Sequence, residues 1–393
     1  MKFQSSVRLQ KLPPYIFSEI QKRKKEVAAR QIDLIDLGMG DPDLATPPTI
    51  VNCLIEEARK TENHHYPPYN GIPEFRQAVC RWMERRFSVT ADPDKEVINL
   101  IGSKEGIANF SQAIFNPGDF CLVPDPAYPV YTNAALLAGA SPLNYPLRAS
   151  NAFRPKWSEI SEEVWRAIKL IFINFPNNPT SATVSIDTYR ELVSLAQKYD
   201  FMICSDNPYS EQSYHELAPC LLQVPGAKEV GIEFFSCSKT YNMTGWRIGF
   251  AVGNPDLVSA LYKMKSAIDT GIFKPIQWAA IAALDGKERE LVNPSKEVFH
   301  YRRNLMKEGL EKLGYEIFDG GATFYLWIKT PMGEDSMSTC TRLLEKGIVT
   351  TPGIGFGKQG EGYFRMSLTV PEEKIKEVLE RMPAAEEAQS QIS

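Results

Sequence analysis

Short, nearly continuous apolar runs recur along the first two thirds of the chain, each followed by a turn and a helical pattern. They are VINLIG (97–102), DFCLVP (119–124), KLIFIN (169–174), FMICSD (201–206), IEFFSCS (232–238) and RIGFAVG (247–253). Runs rich in Ile, Phe, Leu and Val without strict alternation suit strands covered on both faces. Strands that alternate with helices predict an α/β fold built on a mostly parallel sheet. That domain is expected over 46–287. Beyond it, YRRNLMKEGLEKLGYEIF (301–318), ATFYLWIK (322–329), a helix near 336–346 and EEKIKEVLERM (372–382) predict a smaller α+β domain over 288–393. Residues 1–45 are read as an N-terminal arm and part of the smaller domain, and the tail AAEEAQSQIS is expected to fray.

Composition narrows the function classes. A chain of 393 residues has room for more than one core, and 44 Lys plus Arg against 48 Asp plus Glu leave a net charge of -4. No basic field exists to draw in nucleic acid or an anionic membrane, so a small molecule is the expected partner. The seven cysteines, 53, 80, 121, 204, 220, 237 and 340, are odd in number and scattered without a C-x-x-C pair. That argues against a disulfide framework and a zinc site, and fits a reducing cytoplasm. The start carries no apolar run of signal length and no stretch is apolar enough to span a membrane. The basic run Lys22 to Lys25 reads as a solvated helix face, and the adjacent His64 and His65 point apart rather than to a shared metal.

In open α/β sheets, ligands bind beyond the carboxyl ends of the strands. After VINLI, Gly102-Ser103-Lys104-Glu105-Gly106 leads into a helix whose amide end suits an anion such as phosphate, although a plain strand-to-helix turn has the same look. It is neither a Walker loop nor a dinucleotide fingerprint. After KLIFIN comes the rigid loop Asn174-Phe175-Pro176-Asn177-Asn178-Pro179-Thr180, where an asparagine can donate to a phenolic oxygen. FMICS ends in Asp206, with Tyr209 three residues on; a buried carboxylate there needs a cationic partner, the other reading being a helix cap. IEFF ends in Ser236-Cys237-Ser238-Lys239, with Arg247 eight residues further. Burial of such a lysine favours the neutral amine that forms Schiff bases.

Together, in this order, these residues resemble the pyridoxal-phosphate (PLP) aminotransferases of fold type I, the class I and II family. GMGDPD, YPPYNGIPEFRQAV, IGSKEGIA, DPAYPVY, NFPNNPT, SCSKTYNMTGWRIGFAVG and GYFRMSLTVP look most like the LL-diaminopimelate aminotransferase group. The resemblance implies a seven-stranded large domain and a ping-pong transfer of an α-amino group between an L-amino acid, of diaminopimelate, aspartate or alanine type, and 2-oxoglutarate. It implies that Lys239 carries the internal aldimine and moves the substrate proton, and that Asp206 pairs with the pyridine nitrogen. Tyr209 and Asn178 would hold the phenolic oxygen, and Tyr128 would stack on the ring, unless it is an ordinary core tyrosine. Ser103, Lys104, Ser236, Ser238 and Arg247 match the phosphate cradle. Tyr69 matches the tyrosine that reaches the neighbouring subunit's phosphate, implying a homodimer with shared active sites. Arg365 matches the clamp on the substrate carboxylate, against a reading as a solvated strand arginine, and Tyr15 and Gly40 match substrate-side contacts.

Two departures stand out. Ser181 takes the place of a glycine after Thr180, so the turn is expected to differ, since serine does not readily adopt positive φ. Lys274 replaces an uncharged polar residue near the partner's site, where a cation would favour an acidic substrate or repel a second ammonium. Two other chemistries compete. A serine acyl enzyme is suggested by Ser236-x-x-Lys239 and Ser205-Asp206-Asn207, but the motif order is wrong and Tyr241 stands where K-T-G needs glycine. A carbon-sulfur lyase or amino-acid oxidase would use the same lysine.

Overall fold

The apolar runs become strands of one seven-stranded sheet. In the computed structural model, which describes residues 3–13, 23–27 and 29–386, a short strand β1 (Ile35–Asp36) precedes them. The sheet comprises β2 (Val97–Leu100), β3 (Phe120–Asp125), β4 (Ser141–Pro146), β5 (Ile168–Asn174), β6 (Met202–Asp206), β7 (Gly231–Ser236) and β8 (Gly249–Gly253). Its order is β2-β8-β7-β6-β5-β3-β4; β3 to β7 pair in parallel, and β8 runs antiparallel to both neighbours. The fold is thus α/β, as the patterning predicts. Strand β4, SPLNYP, went unread because it is a partly exposed edge strand with two prolines, which blur the apolar signal and are tolerated only at such an edge.

Two-sided burial explains the continuous runs. Neighbouring Phe234 and Phe235 of β7 belong to different clusters: Phe234 packs with Phe110, Phe172 and Leu261, whereas Phe235 packs with Trp82, Phe87 and Phe250. The helix Pro73–Phe87 shows how the second layer is made. Proline opens it, Ser88 closes it in a left-handed conformation, and Phe75, Ala78, Val79, Trp82 and Met83 form its buried stripe.

A second sheet, order β12-β13-β10-β9, is antiparallel and comprises β9 (Ile317–Phe318), β10 (Tyr325–Lys329), β12 (Thr351–Pro352) and β13 (Tyr363–Ser367); between them β11 (Ile348–Val349) pairs with β1. Met306 and Leu310 of the helix Asn293–Lys312, Leu343 of Ser336–Glu345, and Ile375 and Val378 of Glu372–Arg381 bury Ile328, Phe364 and Met366 against it. Most of the C-terminal tail lies outside the described residues. Among those residues no helix is long and apolar enough to cross a membrane.

The loop after β5 keeps the conformation that the sequence put in doubt. Ser181 does adopt a positive φ of 64°. Its hydroxyl, fully buried, lies 2.6 Å from Thr323 Oγ1 and donates to the Tyr325 carbonyl at 2.9 Å, which holds the left-handed turn in place and ties the loop to β10. Ser181→Ala is expected to keep the strain and lose both bonds, lowering stability by about 1–3 kcal/mol. Ser181→Gly, which relieves the strain, is expected to lose less. Thermal denaturation of the two variants checks the order; equal Tm values would show that the bonds contribute nothing.

Candidate active site

Residues at the carboxyl ends of β2, β5, β6 and β7 and on β10 and β13 line one cavity of about 390 Å³. It brings together Gly40, Ser103, Lys104, Tyr128, Asn178, Asp206, Tyr209, Ser236, Ser238, Lys239, Arg247 and Arg365, all singled out from the sequence. Tyr69 does not line it, and it is 39% exposed. Tyr15 lies outside the described residues.

Asp206 is the last residue of β6 and is fully enclosed. Tyr131 donates to its Oδ2 at 2.8 Å, while Oδ1 is buried with no hydrogen-bond partner among the described residues. Burial pushes this carboxyl up to about 7, against the Tyr131 hydrogen bond and the influence of the Ser103 hydroxyl, which favour the charged form. Asn174, at the end of β5, fixes the neighbouring strand end: its side chain donates to the Asp206 carbonyl at 2.8 Å and accepts the Asn178 amide at 2.9 Å.

Lys239 sits in the short helix Cys237–Thr240 that follows β7 and is opened by the Ser236 hydroxyl, which accepts the Ser238 amide. The Lys239 ammonium donates to the Gly40 carbonyl at 2.5 Å. Burial draws it down to about 8; Asp41 opposes the shift, and Arg365 and Arg247 add to it. An amine and a carboxyl that both titrate near neutrality in one enclosed cavity are a signature of acid-base chemistry.

Cations stand at two places in the cavity wall. Arg247 donates to the carbonyls of Thr244 and Ile101 at 2.9 and 3.0 Å. Beside it the helix Ser103–Ile114 begins at Gly102, with no side chain capping its first amides, so an electropositive helix end and a guanidinium meet. Gly102 is needed there: its φ is +90°, and a Cβ would fall 2.6 Å from Arg247 Nη2. Arg365 of β13 lies between the rings of Tyr325 and Phe356, its central carbon 4.2 and 4.8 Å from their centroids. It donates to Asn178 Oδ1 at 2.6 Å and the Gly38 carbonyl at 2.8 Å, and its Nε is buried without a partner among the described residues. It is 4% exposed, so it is no solvated strand arginine. Tyr128 faces the Lys104 ammonium and is edge-on to Tyr131. Ser205, of the rival serine motif, gives its hydroxyl to Glu233.

Sequence reasoning missed Asn174, Tyr131 and Tyr325. Asn174 obeys the strand-end rule used for its neighbours. Tyr131 stands three residues after Tyr128 at the start of a helix, the spacing that puts two side chains on one face. Tyr325 gave no signal, being one aromatic among several in a core strand.

A cavity with a buried amine, a buried carboxyl and two separate cationic anchors defines an enzyme suited to acid-base chemistry on small anionic ligands. The model of the family "Aminotransferase class I and II" matches residues 32–382. LL-diaminopimelate aminotransferase of Aquifex aeolicus is 52% identical over 97% of this chain and 98% of its own, and that of Moorella thermoacetica is 47% identical over 96% and 97%. Among solved structures, substrate-bound BacF from Bacillus subtilis superposes with a TM-score of 0.93 at 32% identity, covering 97% of each chain. Thermus thermophilus aspartate aminotransferase reaches 0.90 at 29% identity, covering 97% and 99%. The chain belongs to the class I and II aminotransferases, fold type I enzymes that work with PLP.

The residues present fit that cofactor. The bare Asp206 Oδ1 suits a ring N–H, the Lys239 amine suits its aldehyde, and the uncapped helix end with Arg247 suits its phosphate. Gly102→Ala is therefore expected to weaken PLP binding roughly tenfold, since the new methyl strains the backbone and displaces Arg247; fluorescence titration of the apoprotein measures it, and an unaltered Kd would show that Arg247 yields freely. Asp206 has a raised folded-state pKa, so its cost is absent below the ordinary value of 3.8, grows as pH rises from there to about 7 and is constant above. Asp206→Asn is thus expected to raise the Tm of the cofactor-free protein at pH 8 and to raise it much less at pH 4. Equal Tm gains at both pH values would contradict this account.

Proposed function

We propose that this chain transfers the α-amino group of LL-diaminopimelate to and from 2-oxoglutarate by a ping-pong mechanism. The observation that carries the chemistry is the pairing, in one enclosed cavity, of the Lys239 amine with the unpartnered carboxylate oxygen of Asp206. The two relatives at 52% and 47% identity support the substrate.

Bound PLP supplies an electron sink that stabilises negative charge at the amino acid's α-carbon. Lys239 is its attachment point and, once released, holds and moves the α-proton; a pKa near 8 leaves enough neutral amine at neutral pH for that task. Asp206 Oδ1 accepts from the ring nitrogen and keeps it protonated. Asn178 and Tyr209 donate to the phenolic oxygen, and Tyr128 packs on the ring. Ser103, Lys104, Ser236, Ser238 and Arg247 hold the phosphate. Arg365 would hold the α-carboxylate of either reactant with its unused donors, a two-pronged contact that would also help orient the substrate. Gly40 lies on the substrate side.

The cavity takes Asp206 and Lys239 from 46–287, and Arg365 and Tyr325 from 288–393, so we read these as the cofactor domain and the smaller domain, the latter joined by part of 1–45. We read the molecule as a cytoplasmic homodimer. Segment 62–69 packs against 271–274 through His64 on Phe273 and Lys274 on the Glu62 carbonyl. This region leaves Tyr66, Tyr69, Ile268 and Phe273 exposed, a patch suited to a second copy, into whose site Tyr69 would reach.

The test mixes the purified enzyme with LL-diaminopimelate, aspartate or alanine. With LL-diaminopimelate the cofactor band is expected to convert to the amine form, and 2-oxoglutarate to restore it; Lys239→Ala abolishes both. Conversion by aspartate alone would assign the site, and Lys274, to an acidic donor. Release of ammonia with an unchanged cofactor would identify a lyase instead.

A further inference from the structure

Tyr325 belongs to no motif, yet it touches three residues of the proposed site: Tyr209, Arg365 and Gly40. Its hydroxyl lies 2.9 Å from the Tyr209 hydroxyl. Its ring is the platform under the Arg365 guanidinium. Its hydroxyl also explains Gly40, where a Cβ would fall 1.9 Å from Tyr325 Oη. The backbone beneath is fixed: the Tyr325 carbonyl accepts from Arg303 and Ser181, and its amide donates to Thr323 Oγ1 at 3.1 Å.

We propose that Tyr325 is a positioning residue that donates its proton to Tyr209, and so directs Tyr209's own proton to the phenolic oxygen of the cofactor. The inference rests on the reading of Tyr209 and Arg365 given above. Two hydroxyls in contact use one proton between them, and the direction follows from counting acceptors. Among the described residues Tyr209 is the one partner of the Tyr325 hydroxyl. If Tyr209 donated, the Tyr325 proton would be left in a fully buried place without an acceptor, and the phenolic oxygen would keep Asn178 alone. In the order Tyr325 to Tyr209 to cofactor every proton has an acceptor, and each bond strengthens the next. The ring has a separate duty: with Phe356 it sandwiches Arg365 and keeps the guanidinium flat for a carboxylate.

The two duties separate by substitution in the holoenzyme. Donors to the phenolic oxygen stabilise its anionic form, so they lower the pKa at which the visible band of the lysine-bound cofactor titrates. Tyr325→Phe keeps the ring and removes the donor. It is expected to raise that spectral pKa by about 0.5 to 1 unit, with KM for α-carboxylate substrates within about twofold of wild type. Tyr325→Leu is expected to give the same shift and also raise KM about tenfold. In a Tyr209→Phe background, Tyr325→Phe is expected to add no further shift. A titration unmoved by Tyr325→Phe, or one moved equally without the Tyr209 hydroxyl, would overturn the proposal. A wild-type protein with no such band would overturn the reading of the site itself, a distinct result.

Discussion

One carboxylate oxygen, Asp206 Oδ1, sits inside the protein with nothing among the described residues to accept from. An isolated charge in that position is costly, and proteins tolerate it only where the surroundings hold it fast or a ligand completes it. Here both apply. Tyr131 grips the other oxygen, Asn174 pins the backbone carbonyl, and β6 is covered by β5 and β7, so the carboxylate cannot turn away to find a partner. The fold thereby stores an unmet demand for a proton donor, and a cofactor with a basic ring nitrogen meets it once protonated.

The same logic governs the arginines. Arg247 and Arg365 each spend some donors on backbone carbonyls or Asn178, which fixes their planes, and leave the rest directed at the cavity. Burial is the main force that discourages the amine of Lys239 from taking a positive charge, and against the pull of Asp41 the two guanidiniums add to it. Anchoring anions and preparing a base are therefore one electrostatic arrangement, and a change to either arginine would be felt at the lysine.

Much of this was legible because strand ends in an α/β sheet carry short polar signatures: Asp206, Asn178, Ser236 and Lys239 all follow an unmistakable apolar run. What stayed hidden lacked contrast. Tyr325 and Tyr131 act through hydroxyls on side chains that otherwise read as core, and nothing in a pattern of apolar positions says where a hydroxyl points. Strand β4 was lost because exposure and proline erase the apolar run. Ser181 misled in the other direction: backbone preference alone disfavours it, and two tertiary hydrogen bonds, with Thr323 and with the Tyr325 carbonyl at the start of β10, overrule that preference.

The prolines of β4 have a further consequence. Ser141 and Leu147 send their amides inward to the Asp119 and Asp125 carbonyls of the neighbouring chain segment, so positions 142, 144 and 146 direct theirs outward. Two of these three are Pro142 and Pro146, which have no N–H. The border of the sheet thus offers an approaching strand a single amide, at Asn144, and the row of donors that would let molecules stack edge to edge into fibres is missing by composition.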